Sequence, residues 1–195
     1  MKGRDGKPPT SMNRFEPLLS QGDLTSDGLA NEVARIVGDR PQFLPDLVEM
    51  LAGETRAVRG HAADALEKVA RKHPVEVAAW TPRIVEAAQS DDVPMVRWHM
   101  AMVLGHLSAV PAAVPTAVRT LCKQLADPSP FVRSWAITSL CRLGRDHPDQ
   151  RGRILPRLVQ LTLDPRPSVA KRAQTAVRLL SHPETRLPAS WVKTA

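Results

Sequence analysis

Residues 96–107 read VRWHMAMVLGHL, an apolar, helix-patterned segment that carries Arg97, Trp98, His99 and His106 and no acidic residue. The phrase is not unique in the chain. VRGHAADALEKV starts at Val58, VRSWAITSLCRL at Val132, and a looser copy, VAKRAQTAVRLL, at Val169, in steps of 38, 36 and 37 residues. Apolar or small residues recur within it at helical spacing, as in Val96, Met100, Val103, Leu104 and Leu107. That is the stripe of an amphipathic helix.

A second set of columns keeps a step of 37 residues: Leu47, Ile84, Leu121 and Leu158, with Val48, Val85, Cys122 and Val159 beside them. Phe43, Trp80, Ala117 and Ile154 form a third column, which places Trp80 in the core. Pro74, Pro111, Pro148 and Pro183 follow the phrases, while Pro94, Pro130 and Pro167 precede three of them. Proline ends one helix and suits the first turn of the next. Each unit therefore reads as two helices joined by a short Asp/Pro turn (SDDVP, ADPSP, LDPRP). No two-residue alternation signals a strand. A single hairpin of this size cannot bury its apolar face, whereas stacked hairpins share one core.

These residues resemble the HEAT-repeat family over roughly residues 41–182. The matching features are the segments Pro45 to Glu49, Pro82 to Glu86 and Pro156 to Gln160, the turn aspartates Asp91, Asp127 and Asp164, and the pairs Val58-Arg59, Val96-Arg97 and Val132-Arg133. The third unit departs with Arg119 in place of a proline, and the fourth with Ala170 in place of the arginine. The resemblance implies an all-α, right-handed α-solenoid of about four HEAT-like hairpins, the first helix of each convex and the second concave. The expected organisation is a flexible tail over 1–25 and a solenoid over 26–182, then an irregular tail over 183–195. Within the solenoid we expect a capping half-repeat at 26–40 and repeats at 41–74, 75–111, 112–148 and 149–182. Ser26 or Asp27 would cap the half-repeat, and Trp191 would fold back over the last hairpin.

The charge pattern bears on function. The chain carries a net +7 with a pI near 10.1. Residues 151–180 hold seven basic residues against Asp164 alone, while residues 41–91 hold six against eight acidic ones. Such a balance favours acidic partners. No apolar run reaches the eighteen or so residues of a membrane span. Cys122 and Cys141 match no zinc or redox spacing and read as reduced thiols. A cytoplasmic protein without membrane insertion is expected, its oligomeric state open.

With about 100° of rotation per residue, phrase positions 2, 3 and 6 fall beside or opposite the core stripe. If the second helices line the concave side, the binding candidates are Trp98, His99, Met102, Trp135, Arg142, Lys171 and Arg172. Trp98 is expected to be exposed. These residues suggest a carboxylate-poor, basic wall that binds a protein or peptide of acidic character, with nucleic acid as the alternative partner. Arg59, Arg97 and Arg133 are expected to bond turn aspartates or carbonyls of the adjacent unit. His73, His147 and His182 each precede a proline and are expected to bond helix-end carbonyls.

Chemistry is not foreseen. His99 and His106 lie seven residues apart, about 10 Å along a helix, too far to share a metal ion. No phosphate loop or nucleophile grouping appears, so no catalytic residue, cofactor or metal is expected. HEAT-like alkylpurine DNA glycosylases share this shape and charge, but the resemblance implies an aspartate one turn beyond an inner-face aromatic. Those positions here are Met102 and Ser139.

Overall fold

The computed structural model describes residues 13–26 and 28–192. Among them, every regular element is helical. The α-helices are α1 (Glu16–Leu19), α2 (Ala30–Asp39), α3 (Leu44–Glu49), α4 (Arg56–Lys72), α5 (Pro74–Ala78), α6 (Thr81–Ser90), α7 (Pro94–His106), α8 (Val114–Gln124), α9 (Pro130–Asp146), α10 (Arg151–Leu161) and α11 (Pro167–Ser181). They pair as α3–α4, α6–α7, α8–α9 and α10–α11, and the pairs stack in chain order. Short 3₁₀ turns fill the breaks at the prolines, as at Pro111–Ala113 and Pro148–Gln150.

The first column read from the sequence is core throughout, whereas in the second only Val48 is buried, Val85 and Cys122 being half-buried and Val159 exposed. Leu47, Ile84, Leu121 and Leu158 are fully buried, as are Ala117 and Ile154. Phe43 and Trp80 are only partly covered and pack against the core edge. The second helices α4, α7, α9 and α11 touch along their lengths, while α6, α8 and α10 meet at few points. The second helices are called the inner layer and the first helices the outer layer. Small residues permit the close approach of the inner helices. A Cβ on Gly105 would lie 2.5 Å from the Ser139 Oγ on α9, so α7 and α9 close only around glycine.

Neighbouring pairs are clasped by three repeated arginine–aspartate bonds. The Asp91 carboxylate accepts from the Val93 backbone N–H at 2.7 Å, fixing its own turn, and from Arg59 Nε at 2.8 Å. Asp127 accepts from the Ser129 N–H at 2.8 Å and from both Nε and Nη2 of Arg97, at 2.7 and 3.0 Å. Asp164 accepts from the Arg166 N–H at 2.9 Å and from Arg133. Arg97 also donates to the Asp91 carbonyl at 2.8 Å, so one guanidinium spans two turns. At Ala170 the arginine column ends.

The N-terminal expectations require correction. Residues 1–12 and Asp27 lie outside the described residues. Residues 13–25 are not a flexible tail, because Phe15 and Leu19 are buried and Phe15 meets Phe43 edge-on at 6.5 Å. Asn13 donates to the Asp46 carbonyl at 2.9 Å. The His61 ring on α4 also holds this segment, with Nδ1 2.8 Å from the Leu19 carbonyl and Nε2 2.9 Å from that of Asp23. Ser26 does not cap α2. Its hydroxyl serves a local turn with Asp23, and α2 begins after Leu29 without a side-chain cap.

The proline-flanked histidines do not form one class. His147 Nε2 lies 2.8 Å from the Ser108 carbonyl of the preceding unit, tying units together rather than capping its own helix. His182 is exposed and stands 3.6 Å from Glu184, and the His73 ring makes no hydrogen bond among the described residues.

Candidate functional site on the inner helix layer

The second-helix layer holds a recess of about 230 Å³ between α4, α7 and α9. Met102, Gly105, Thr138 and Ser139 line it, with Glu67, Arg71 and His106 at one side and Trp135 and Arg142 at the other. The C-terminal segment closes it with Leu187, Trp191 and Val192. Trp191 therefore folds back, against Arg172 of the last hairpin and onto the recess. Ligand pockets for small molecules run to roughly 300–1,000 Å³. This one is the size of an amino-acid side chain.

Of the sequence candidates, Met102, Trp135 and Arg142 border the recess. Arg172 stands directly behind it, its guanidinium 5.6 Å from the Trp135 ring and 5.4 Å from that of Trp191, with Nη1 donating to Thr138 Oγ1 at 2.8 Å. Burial lowers the Arg172 pKa from its ordinary value. Lys171 is exposed, outside the recess. Trp98 and His99 correct the sequence reading. Trp98 is half-buried, its ring 5.5 Å from Phe131 and 5.7 Å from His99. His99 is buried, with Nδ1 2.9 Å from the Met95 carbonyl and Nε2 3.3 Å from Asp64. Helical rotation within one unit ignores the neighbouring units, from which Asp64 on α4 meets His99 and Phe131 on α9 meets Trp98. Phe131, 63% exposed, is the open aromatic of this pair, and no sequence column pointed to it.

The inner layer is also not free of carboxylates. Asp64 and Glu67 on α4 face α7 and are buried. Glu67 accepts from Arg71 through both oxygens and from His106 Nε2 at 2.9 Å, while Arg142 Nη1 donates to His106 Nδ1 at 3.0 Å. Burial alone would raise the Glu67 carboxyl, but the bonds from His106 and Arg71 outweigh it and hold the group at about 2. Asp64 behaves alike, its burial outweighed by bonds from His99 and Lys68, and its pKa is depressed. The signal available in the sequence was the pairing of columns across one repeat: Glu67 and His106 stand 39 residues apart.

This cluster is poorly suited to acid–base work. A general base needs a free lone pair within reach of a substrate proton. Both nitrogens of His106 are engaged, and Glu67 has no accessible side-chain surface. No group of three or more metal-ligating side chains is found among the described residues. No helix among them is long and apolar enough to cross a membrane.

Comparison with known proteins agrees with this architecture. The HEAT-repeat family model matches residues 117–147. No curated protein sequence matches the chain. Among solved structures, a computationally designed armadillo repeat protein for modular peptide recognition is 19% identical with a TM-score of 0.62, over 83% of this chain and 79% of that one. A designed armadillo repeat protein in complex with the peptide (KR)4 is 19% identical with a TM-score of 0.58, over 79% and 74%. A chain of the Pds5–Scc1 complex is 16% identical with a TM-score of 0.57, over 86% of this chain and 28% of its own length. The class is thus the all-helical armadillo/HEAT solenoid. This chain is a HEAT-like α-solenoid whose HEAT signature is strongest over α8 and α9.

Proposed function

We propose that this chain is a non-catalytic binding scaffold that docks a protein or peptide segment along its inner helix layer. One apolar side chain of the segment enters the recess beside Trp135 and Met102, and a flanking carboxylate meets Arg142. The observation that carries this reading is the recess itself, of about 230 Å³, lined in part by Met102, Trp135, Leu187 and Trp191 and bordered by an exposed arginine. Its size suits a side chain anchored in a buried pocket, the usual form of an interface hot spot. A similar solenoid designed for modular peptide recognition and another found in a protein complex support the choice of partner class. The peptide recorded with one of them is basic, so acidic character here rests on this chain's own charge. Lys171, exposed on α11, extends the same preference.

Selection from a displayed random-peptide library tests the reading. Wild-type protein should enrich sequences with an apolar residue flanked by Asp or Glu. Trp135→Ala should weaken the selected peptides about thirtyfold, as a hot-spot loss near 2 kcal/mol implies. Arg142→Glu should weaken acidic ones selectively, with helicity unchanged in both variants. Peptides bound equally well by all three proteins would refute an inner-layer site.

A further inference from the structure

The first-helix layer carries a second feature, independent of the recess. Helices α8 and α10 bring five cations, Arg119, Lys123, Arg151, Arg153 and Arg157, and no acidic residue. Four of them line an open depression of about 430 Å³ around the half-buried Cys122, and no carboxylate borders it. All four are exposed. Arg157 donates to the Arg153 carbonyl at 2.7 Å and Arg119 to Thr116 Oγ1 at 3.1 Å, while the Lys123 and Arg153 side chains make no ion pair or hydrogen bond among the described residues.

This arrangement runs against the chain's habit elsewhere. On the same layer Arg83 pairs with Glu86, and on α2 Arg35 pairs with both Glu32 and Asp39. On α8 and α10 the one-turn neighbours are instead Arg119 with Lys123 and Arg153 with Arg157. Like charges at that spacing destabilise a helix, and here two such helices adjoin. Anions bound at this face would relieve the repulsion.

We propose that the outer face of α8 and α10 docks the phosphate backbone of a double-stranded nucleic acid. Single strands are held by stacking bases on aromatic rings, and no aromatic residue borders the depression. Protein interfaces centre on an apolar core, whereas Cys122 is the only weakly polar residue here. Arginine and lysine without either feature match backbone contacts, which carry position but no sequence.

Binding of a labelled duplex DNA oligomer across a salt series decides it. Four phosphate contacts give a log–log slope near −3.6, so affinity should fall about a hundredfold between 50 and 200 mM salt. The double variant Lys123→Glu, Arg153→Glu should lose at least about tenfold in affinity and roughly two from the slope. Arg142→Glu on the other layer should leave binding unchanged. No duplex binding, a flat salt response, or a double variant that binds like wild type overturns the proposal. So does a loss caused by Arg142→Glu instead. Polyglutamate or phosphatidylserine vesicles bound as tightly as the duplex, with the same double-variant loss, would reassign the surface to an acidic protein or a membrane.

Discussion

The junction of α4 with α7 and that of α9 with α11 occupy equivalent places in the stack, yet they are joined by different chemistry. At the first, two buried carboxylates, Asp64 and Glu67, face His99 and His106, with Lys68 and Arg71 one turn behind. At the second, the Cys141 thiol points at the Ala176 carbonyl, 3.8 Å away, and Arg172 is held between two tryptophan rings. Carboxylates on α4 neutralise the inner layer near the start of the stack. The later helices carry only Asp146, at the exposed end of α9; Arg97 and Arg133 reach carboxylates in the turns, and Arg172 turns to rings and a hydroxyl. Polarised charge along this solenoid therefore arises both from where the acids are placed and from a denser run of bases over residues 151–180.

The largest effect that would test this contrast comes from Glu67→Ala. It leaves Arg71 and His106 beside an empty site, and breaking a buried pair in this way costs about 3–5 kcal/mol. Urea denaturation should show that loss, and a loss no greater than that of an exposed substitution would erase the distinction between the junctions. Acid titration is the next test. Glu67 is depressed to about 2 in the folded chain, so its contribution is fully present above its unfolded value near 4.5 and is lost as pH falls through about 2. Roughly 3 kcal/mol of acid-dependent stability should follow from that interval. Glu67→Gln should flatten this part of the pH profile, while Arg172→Ala should leave its shape intact.

A smaller effect belongs to the clasps. Asp127→Ala removes a carboxylate that takes two bonds from Arg97, and a loss of about 2 kcal/mol is expected from charged hydrogen bonds of this kind. Smaller again is Trp191→Ala, which removes one of the two rings around Arg172 at a cost of about 1 kcal/mol. Hydrogen exchange should quicken over residues 183–192 in that variant, while α4 and α7 keep their protection. Exchange that quickens equally at both junctions would mean that the C-terminal segment is not a local closure.

Much of the fold could be read from the chain because the repeat imposes its own register. Leu47, Ile84, Leu121 and Leu158 needed only a fixed step to be identified as core, and the turn aspartates and phrase arginines repeat with it. Contacts that cross from one unit to the next out of column were not readable. His99 meets Asp64, three phrase positions away, and His106 meets Glu67, one away, so helix rotation within a single unit misplaced His99 and left the partner of His106 unread. Residues 13–25 misled for a different reason. Phe15 and Leu19 lack the repeat's periodicity, and their burial depends on His61 and Phe43, which lie far along the chain. The outer basic depression was missed because the charge sum over 151–180 took in α10 but not Arg119 and Lys123 on α8.

The three arginine–aspartate clasps have a consequence for how this molecule comes apart. Each belongs half to one hairpin and half to the next, so in a nearest-neighbour description it strengthens the coupling between units without strengthening either unit alone. A chain of coupled units melts together only while every link is strong. Severing the middle link at Asp127 should therefore do more than lower a midpoint: it should let the segment before that boundary and the segment after it unfold at separate temperatures.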